Sequence, residues 1–226
     1  MNDALTHTHS HAMLEALAPG FADPVHDTQT VFRTLLDALA RPGTIGVIDT
    51  PLPAAASAIS AQSTQSTQSQ PQQHDRAGLA AFAALLTLAD YATPVWLAQP
   101  DAALAAALRF HADAPLADTA REAAFAYVHD AAALPPLDAF ASGTPESPEQ
   151  SATVFVRVDS LTEGAPLTLR GPGIASTHTI APAGLPARFW QERAALASRF
   201  PCGIDFYFVC GDRLMGLPRT TRVEVN

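Results

Sequence analysis

The stretch Phe200–Val225 constrains the fold of this chain more than any other part of the sequence. It holds an apolar run, Ile204–Cys210, and a second one, Leu214–Leu217, on either side of Gly211-Asp212. Glycine and aspartate tolerate the positive φ of a tight turn, so the two runs predict a β-hairpin. The first run is apolar almost throughout, which indicates a strand covered on both faces. Pro218 cannot donate to a strand ladder and is predicted to end the second strand.

A polar segment follows the hairpin directly. Arg219-Thr220-Thr221-Arg222 places two guanidinium groups and two hydroxyls beside a buried sheet. These groups suit a phosphate-like oxyanion or an acidic surface of a partner. If the segment stays an extended edge strand, Arg219 and Arg222 fall on opposite sides and their guanidiniums do not converge. Ligand binding, subunit contact and a solvated edge all stay open as roles.

A glycine-rich segment, Leu169–Ile174, follows another predicted strand. Gly171 and Gly173 would permit close approach of a ligand oxyanion, and Arg170 could supply charge. No helix pattern opens after the segment, which argues against a P-loop or a dinucleotide-binding motif. A turn between two strands and a ligand or subunit contact are both compatible with the pattern.

The chain contains no lysine, so all 13 basic residues counted as Lys+Arg are arginines. A Schiff base to pyridoxal phosphate requires a lysine amine, and a Walker A loop and a protein-kinase site require a lysine as well. The given sequence therefore contains no Schiff-base site for pyridoxal phosphate, no Walker A loop and no protein-kinase site. We expect no resident cofactor in this chain.

Composition limits the partners and the compartment. A net charge of −9 opposes non-specific binding to nucleic acid or to an anionic membrane. No apolar run reaches the length of about 20 residues that spans a bilayer, and the N-terminus lacks the features of a secretory signal. Cys202 and Cys210 do not form a disulfide framework. We expect a cytoplasmic protein with free thiols.

The chain is predicted to form a single α/β domain over residues 21–226, after a flexible lead of residues 1–20. Asp23-Pro24 predicts the start of a helix and Pro42-Gly43 its end. Residues 57–76 are Gln/Ser/Thr-rich and predict a disordered insertion. Further along, strands alternate with helices and then cluster, which predicts a mixed sheet with helices on both faces. The first helix has apolar residues at helical spacing: Val31, Phe32, Leu35, Leu36 and Leu39.

Several motifs together resemble one bacterial family, the H subunits of carbon–phosphorus lyase (PhnH). Any one motif would be weak evidence, but their order along the chain is that of the family. Two departures are Arg222, where the family has a histidine, and Cys202, where a larger apolar residue is commoner. The motifs are FADPVHDTQTVFRTLLDALARPG (Phe21–Gly43), LTLADYATPVWL (Leu86–Leu97), LRFHADAPL (Leu108–Leu116), SGTPESPEQSAT (Ser142–Thr153), LRGPGI (Leu169–Ile174), GID, CG-x-RL and PRTT-x-VEV.

The resemblance implies a fold and a function. The implied fold is a three-layer α/β/α arrangement, similar to that of pyridoxal-phosphate-dependent transferases but without the cofactor. The implied function is that of an accessory subunit, which acts with the G, I, J and L components. That complex makes α-D-ribose 1-phosphonate 5-triphosphate from ATP and an alkylphosphonate. A homodimer that joins a larger core, with the G, I and J subunits as partners, is also implied.

Two other classes of function stay open on the residues alone. A self-sufficient phosphotransfer or nucleoside-processing enzyme would use Arg170 and Arg219 as oxyanion clamps. A binding module would sense nucleotide without turnover. No nucleophile–base pair, carboxylate dyad or metal-ligand spacing stands out in the sequence, and the alternating His7, His9 and His11 are attributed to a disordered tail. The sequence therefore indicates no catalytic residue and no metal site.

Overall fold

The computed structural model describes residues 19–50 and 78–225. The predicted insertion at residues 57–76 lies outside the described residues, and so does the lead up to residue 18, with His7, His9 and His11. The limits of the predicted single domain therefore stay a prediction.

A six-stranded mixed sheet forms the centre of the described structure. Four neighbouring strands, β7, β4, β3 and β2, are parallel, while β8 runs antiparallel to β7 and to β1. The order across the sheet is β1-β8-β7-β4-β3-β2. The strands are β1 (Ile45–Val47), β2 (Val95–Leu97), β3 (Phe125–Val128), β4 (Thr153–Arg157), β7 (Asp205–Cys210) and β8 (Arg213–Leu217).

A second, antiparallel sheet of three strands has the order β6-β5-β9. The helices include α1 and α2, which precede β1 and β2, and α3, which connects β2 to β3. The remaining strands are β5 (Leu167–Arg170), β6 (His178–Ile180) and β9 (Arg222–Val225). The α-helices are α1 (Pro24–Ala40), α2 (Leu79–Leu88), α3 (Ala102–Ala112) and α4 (Arg188–Leu196), and short 3-10 turns cover Ala131–Ala133, Leu137–Ala139, Pro148–Gln150 and Ala197–Arg199.

Side-chain alternation along the central strands builds two cores. Tyr127 and Phe155 belong to the core that α1, α2 and α3 cover. Their strand neighbours Ala126 and Val154 belong to the opposite core, which α4 and the three-stranded sheet cover. The predicted α/β class with a mixed sheet is thus confirmed, and the small sheet is an addition to the layer on the second face. The likeness to the fold of pyridoxal-phosphate-dependent transferases stays a prediction.

The C-terminal hairpin is confirmed. Strands β7 and β8 pair antiparallel up to Cys210 and Arg213, with Gly211-Asp212 as the turn. Gly211 has a φ of 62°, as the tight turn requires. The inner residues of β7 are buried on both faces of the sheet, and β8 ends at Leu217, just before Pro218.

Helix α1 begins as its capping residues predict. The Asp23 carboxylate accepts hydrogen bonds from the N–H groups of Val25 and His26, and Pro24 occupies the first turn. The buried face carries Val31, Leu35 and Ala38. Phe32 and Leu36 belong to the same apolar pattern in the sequence, but they are 46% and 56% exposed. Among the described helices, none is both long enough and apolar enough to cross a bilayer.

A buried tyrosine ties β7 to α1 and predicts a pH dependence. The Tyr207 hydroxyl donates to the Leu35 carbonyl at 2.9 Å, and burial, with a smaller effect of Asp205, raises the pKa of that hydroxyl. Above about pH 10 the unfolded chain loses this proton while the folded chain keeps it, so stability falls as pH rises. Between pH 9 and 11, urea unfolding should show the wild type losing about 1 kcal/mol more than Tyr207→Phe. Equal losses in the two proteins would contradict the assignment.

Candidate functional site

The turn Pro218–Thr221 connects the central sheet to the small sheet, since β8 precedes it and β9 follows it. The Thr221 N–H donates to the Pro218 carbonyl at 3.0 Å. Arg219 therefore lies in a turn and not in an extended edge strand, and only Arg222 belongs to β9. Alternation places Arg219 and Arg222 on opposite sides only if all four residues form one extended strand, and they do not.

Arg219 lies inside the protein and binds Asp205, the first residue of β7. Its backbone N–H donates to Asp205 Oδ1 at 2.7 Å, and Nε and Nη2 donate to Oδ2 at 3.1 and 2.5 Å. Nη1 donates to the Pro148 carbonyl at 2.7 Å, and Nη2 also donates to Ser151 Oγ at 2.5 Å. The two charged side chains are only 18% and 17% exposed. Binding a ligand through Arg219 would require this set of bonds to break.

A second arginine of this region, Arg193 on α4, was not singled out by the sequence. It is 3% exposed, and its Nη2 donates to the carbonyls of Pro218 and Thr221 at 2.6 and 3.1 Å. Burial lowers the pKa of its guanidinium to about 10, and the charge of Asp205 acts in the opposite direction. The side chain is thus still charged at neutral pH and fixes the turn to α4.

Arg170 and Arg222 are the two sequence candidates that converge. They stand directly opposite each other in the β5–β9 ladder, and both are exposed. Arg170 Nε donates to Glu224 Oε1 at 3.1 Å, an exposed pair. Directly opposed like charges destabilise a sheet, and an exposed ion pair contributes little. We call Arg170, Arg222 and Glu224 the arginine face; its net charge is positive on an acidic chain.

The glycines of the LRGPGI segment join this face to the turn and to α1. A Cβ on Gly171, whose φ is 144°, would lie 3.0 Å from the Thr220 carbonyl oxygen. A Cβ on Gly173, whose φ is 80°, would lie only 2.0 Å from the Ala40 carbonyl oxygen. Both glycines thus serve close backbone packing. Thr220 is exposed beside Gly171, whereas Thr221 is buried.

A polar cluster that the sequence did not reveal lies at the carboxyl ends of β3 and β4. Tyr127 Oη and His129 Nδ1 are 2.9 Å apart, and Arg157 Nη1 lies 3.0 Å from His129 Nε2. An arginine can only donate, so His129 Nε2 must accept and Nδ1 carries the proton. Burial raises the pKa of Tyr127, with Arg157 opposing and Asp101 reinforcing the shift. The signal that could have indicated this cluster is His129 directly after β3 together with Arg157 at the end of β4, because the carboxyl ends of neighbouring parallel strands meet at one edge of the sheet.

A groove of about 420 Å³ opens along the outer edge of β2. Its lining includes Trp96, Asp101 and Arg109. The segment around Leu116 pairs with β2 only at Val95, through backbone bonds to the Pro115 carbonyl and the Ala117 N–H. Within residues 19–50 and 78–225, no group of three or more His, Cys, Asp or Glu is placed to hold a metal ion.

Comparisons with known proteins place this geometry in a family context. The family model described as "Bacterial phosphonate metabolism protein (PhnH)" matches residues 19–224. The chain is 39% identical over 221 residues to alpha-D-ribose 1-methylphosphonate 5-triphosphate synthase subunit PhnH of Rhizobium meliloti (strain 1021), covering 94% of this chain and 98% of the relative. It is 38% identical over 84 residues to HtxG of Stutzerimonas stutzeri, described as a candidate C-P lyase subunit, covering 37% of this chain and 43% of that protein.

Proposed function

Because the chain belongs to the PhnH family of bacterial phosphonate metabolism proteins, we propose that it is the H subunit of an alpha-D-ribose 1-methylphosphonate 5-triphosphate synthase. In this role it is an accessory subunit of the carbon–phosphorus lyase system. The observation that carries the proposal is the 39% identity to the Rhizobium meliloti subunit, which extends over 98% of that relative.

The reaction itself belongs to the assembled complex in this proposal. ATP and an alkylphosphonate are its substrates, and this chain contributes no resident cofactor, since without lysine it forms no Schiff base to pyridoxal phosphate. The G, I and J subunits are the partners, the isolated chain is a homodimer, and the complex works in the cytoplasm. An accessory role requires surfaces that recognise other subunits.

The arginine face is the surface that we assign to subunit contact. It displays two opposed guanidiniums and one carboxylate, Glu224, which binds Arg170. An acidic patch on a partner would relieve the repulsion between Arg170 and Arg222, and Thr220 adds an exposed hydroxyl nearby. Arg219 supports this surface from inside, because it fixes the turn that leads into β9.

Assembly measurements test the proposal. Co-expression with the G, I and J subunits, followed by size exclusion with light scattering, should give a complex that contains this chain. The double variant Arg170→Glu/Arg222→Glu should weaken incorporation at least tenfold, because it turns attraction to an acidic patch into repulsion. The control is Arg33→Glu on α1, an exposed arginine outside the face, which should assemble as the wild type does.

The outcomes separate the function from the surface. If the wild-type chain folds but stays out of a complex that the other three subunits form normally, the subunit proposal fails. If the wild type assembles and the double variant assembles equally well, only the assignment of the arginine face is wrong. Activity of the lone chain on ATP and methylphosphonate would instead favour a self-sufficient enzyme.

A further inference from the structure

Arg193 is a buried cation without a carboxylate of its own. Its Nη2 donates to two backbone carbonyls, and its Nε has no partner among the residues that the structure describes. Thr221 is only 1% exposed, and its Oγ1 also has no hydrogen-bond partner among the described residues. A buried polar group without a partner is costly, and a buried charge is more costly still.

The nearby charges do not cancel. Asp205 is the carboxylate whose charge acts on Arg193, but its oxygens receive Nε and Nη2 of Arg219. Two guanidiniums therefore share one carboxylate, and the group of Arg193, Arg219 and Asp205 has a net charge of +1. Buried charges are normally paired, so this group lacks one negative charge.

A small cavity adjoins both arginines. Arg193 and Arg219 line it together with Gly203, Ala197 and Phe200, and its volume is about 10 Å³. That is room for one water-sized particle, and too little for a phosphate or a phosphonate as a whole. Ala197 and Phe200 are exposed, with Phe200 at 66%, so the cavity lies next to the protein surface.

We propose that this cavity is a binding site for one small anion, either a halide or a single oxygen of a carboxylate or other oxyanion. The anion supplies the missing negative charge beside Arg193 and Arg219, which both line the cavity. By neutralising Arg193 it stabilises the junction of α4 with the Pro218–Thr221 turn, from which β9 and the arginine face extend.

Thermal unfolding of the isolated chain in increasing sodium chloride tests the site. An anion that binds only the folded state raises the unfolding midpoint. Ala197→Met should block the cavity with a longer side chain while leaving every bond of the arginines in place. Its matched control is Ala195→Met, an exposed position near the end of α4, two residues before Ala197, that does not line the cavity. Over the range of sodium chloride concentrations, the unfolding midpoints of the wild type and of the control should rise about 2–4 °C more than that of Ala197→Met.

Removal of the charge gives an independent measurement. Arg193→Met should abolish the chloride-dependent part of the midpoint shift, whatever its effect on stability in low salt. The proposal is overturned if wild type, Ala197→Met and Arg193→Met respond equally to chloride, since the salt effect is then unspecific. It is also overturned if Ala195→Met loses the response to the same extent as Ala197→Met.

A crystal grown in sodium bromide locates the anion. Anomalous scattering should place bromide in the cavity that Arg193 and Arg219 line, whereas an ordered water without anomalous signal would overturn the proposal. The same measurement on the complex with the G, I and J subunits, which depends on the proposed function, identifies the natural occupant. A partner carboxylate in the cavity would exclude bromide there, while a free anion would leave bromide bound.

Discussion

Replacing Arg219 with leucine should lower the free energy of unfolding by about 3–5 kcal/mol, the largest loss expected from a single change at the turn. The reason is the carboxylate that remains. Asp205 would stay mostly buried at the start of β7 without the guanidinium that now neutralises it. The Pro148 carbonyl and Ser151 Oγ would lose their donor as well. Urea unfolding followed by circular dichroism measures the loss.

Arg222→Leu is the matched control for this change. It removes an arginine three positions away that is exposed and stands opposite Arg170, so the expected loss is below about 1 kcal/mol. Similar small losses in both variants would show that the Arg219–Asp205 pair contributes little. A double change, Arg219→Leu with Asp205→Leu, should recover part of the loss, because no unpaired charge then remains.

Gly173→Ala should cost about 3 kcal/mol or more in the free energy of unfolding. An alanine at a φ of 80° pays the left-handed penalty of about 1–2 kcal/mol. Its Cβ would also meet the Ala40 carbonyl oxygen at 2.0 Å, so either the LRGPGI segment or the end of α1 must move. Urea unfolding again measures the effect.

Gly211→Ala separates the two contributions. Gly211 also has a positive φ, 62°, but a Cβ there would meet nothing within 4 Å. Gly211→Ala should therefore lower the free energy of unfolding only by the conformational penalty of about 1–2 kcal/mol. If Gly173→Ala costs no more than Gly211→Ala, close packing does not explain the glycine at position 173, and a contact with a ligand or subunit becomes the better explanation.

The local elements were predictable because their signals lie in adjacent residues. The Gly211-Asp212 pair between two apolar runs specifies the hairpin, and Asp23-Pro24 specifies the start of α1. The exposure of Phe32 and Leu36 was not predictable in the same way, because helical spacing defines an apolar stripe but not the width of the surface that covers it.

The candidate site depended on contacts between distant residues, so the sequence could identify only its components. Arg219 and Arg222 are three positions apart, yet one binds Asp205 inside and the other stands opposite Arg170 on the surface. The cause is the turn that transfers the chain from one sheet to the other. Arg193 gave no signal at all, since an arginine in a helix is normally solvated and its burial results from packing against that turn.

The antiparallel pairing of β1 with β8 has a consequence for biosynthesis. Ile45–Val47 emerges from the ribosome early, but its partner Arg213–Leu217 is made about 170 residues later, and Tyr207 reaches Leu35 across a similar separation. Contacts of such long range slow folding and delay closure of the core. The buried side of α1 therefore lacks the part of its native cover that β7 and β8 provide until the hairpin has been translated.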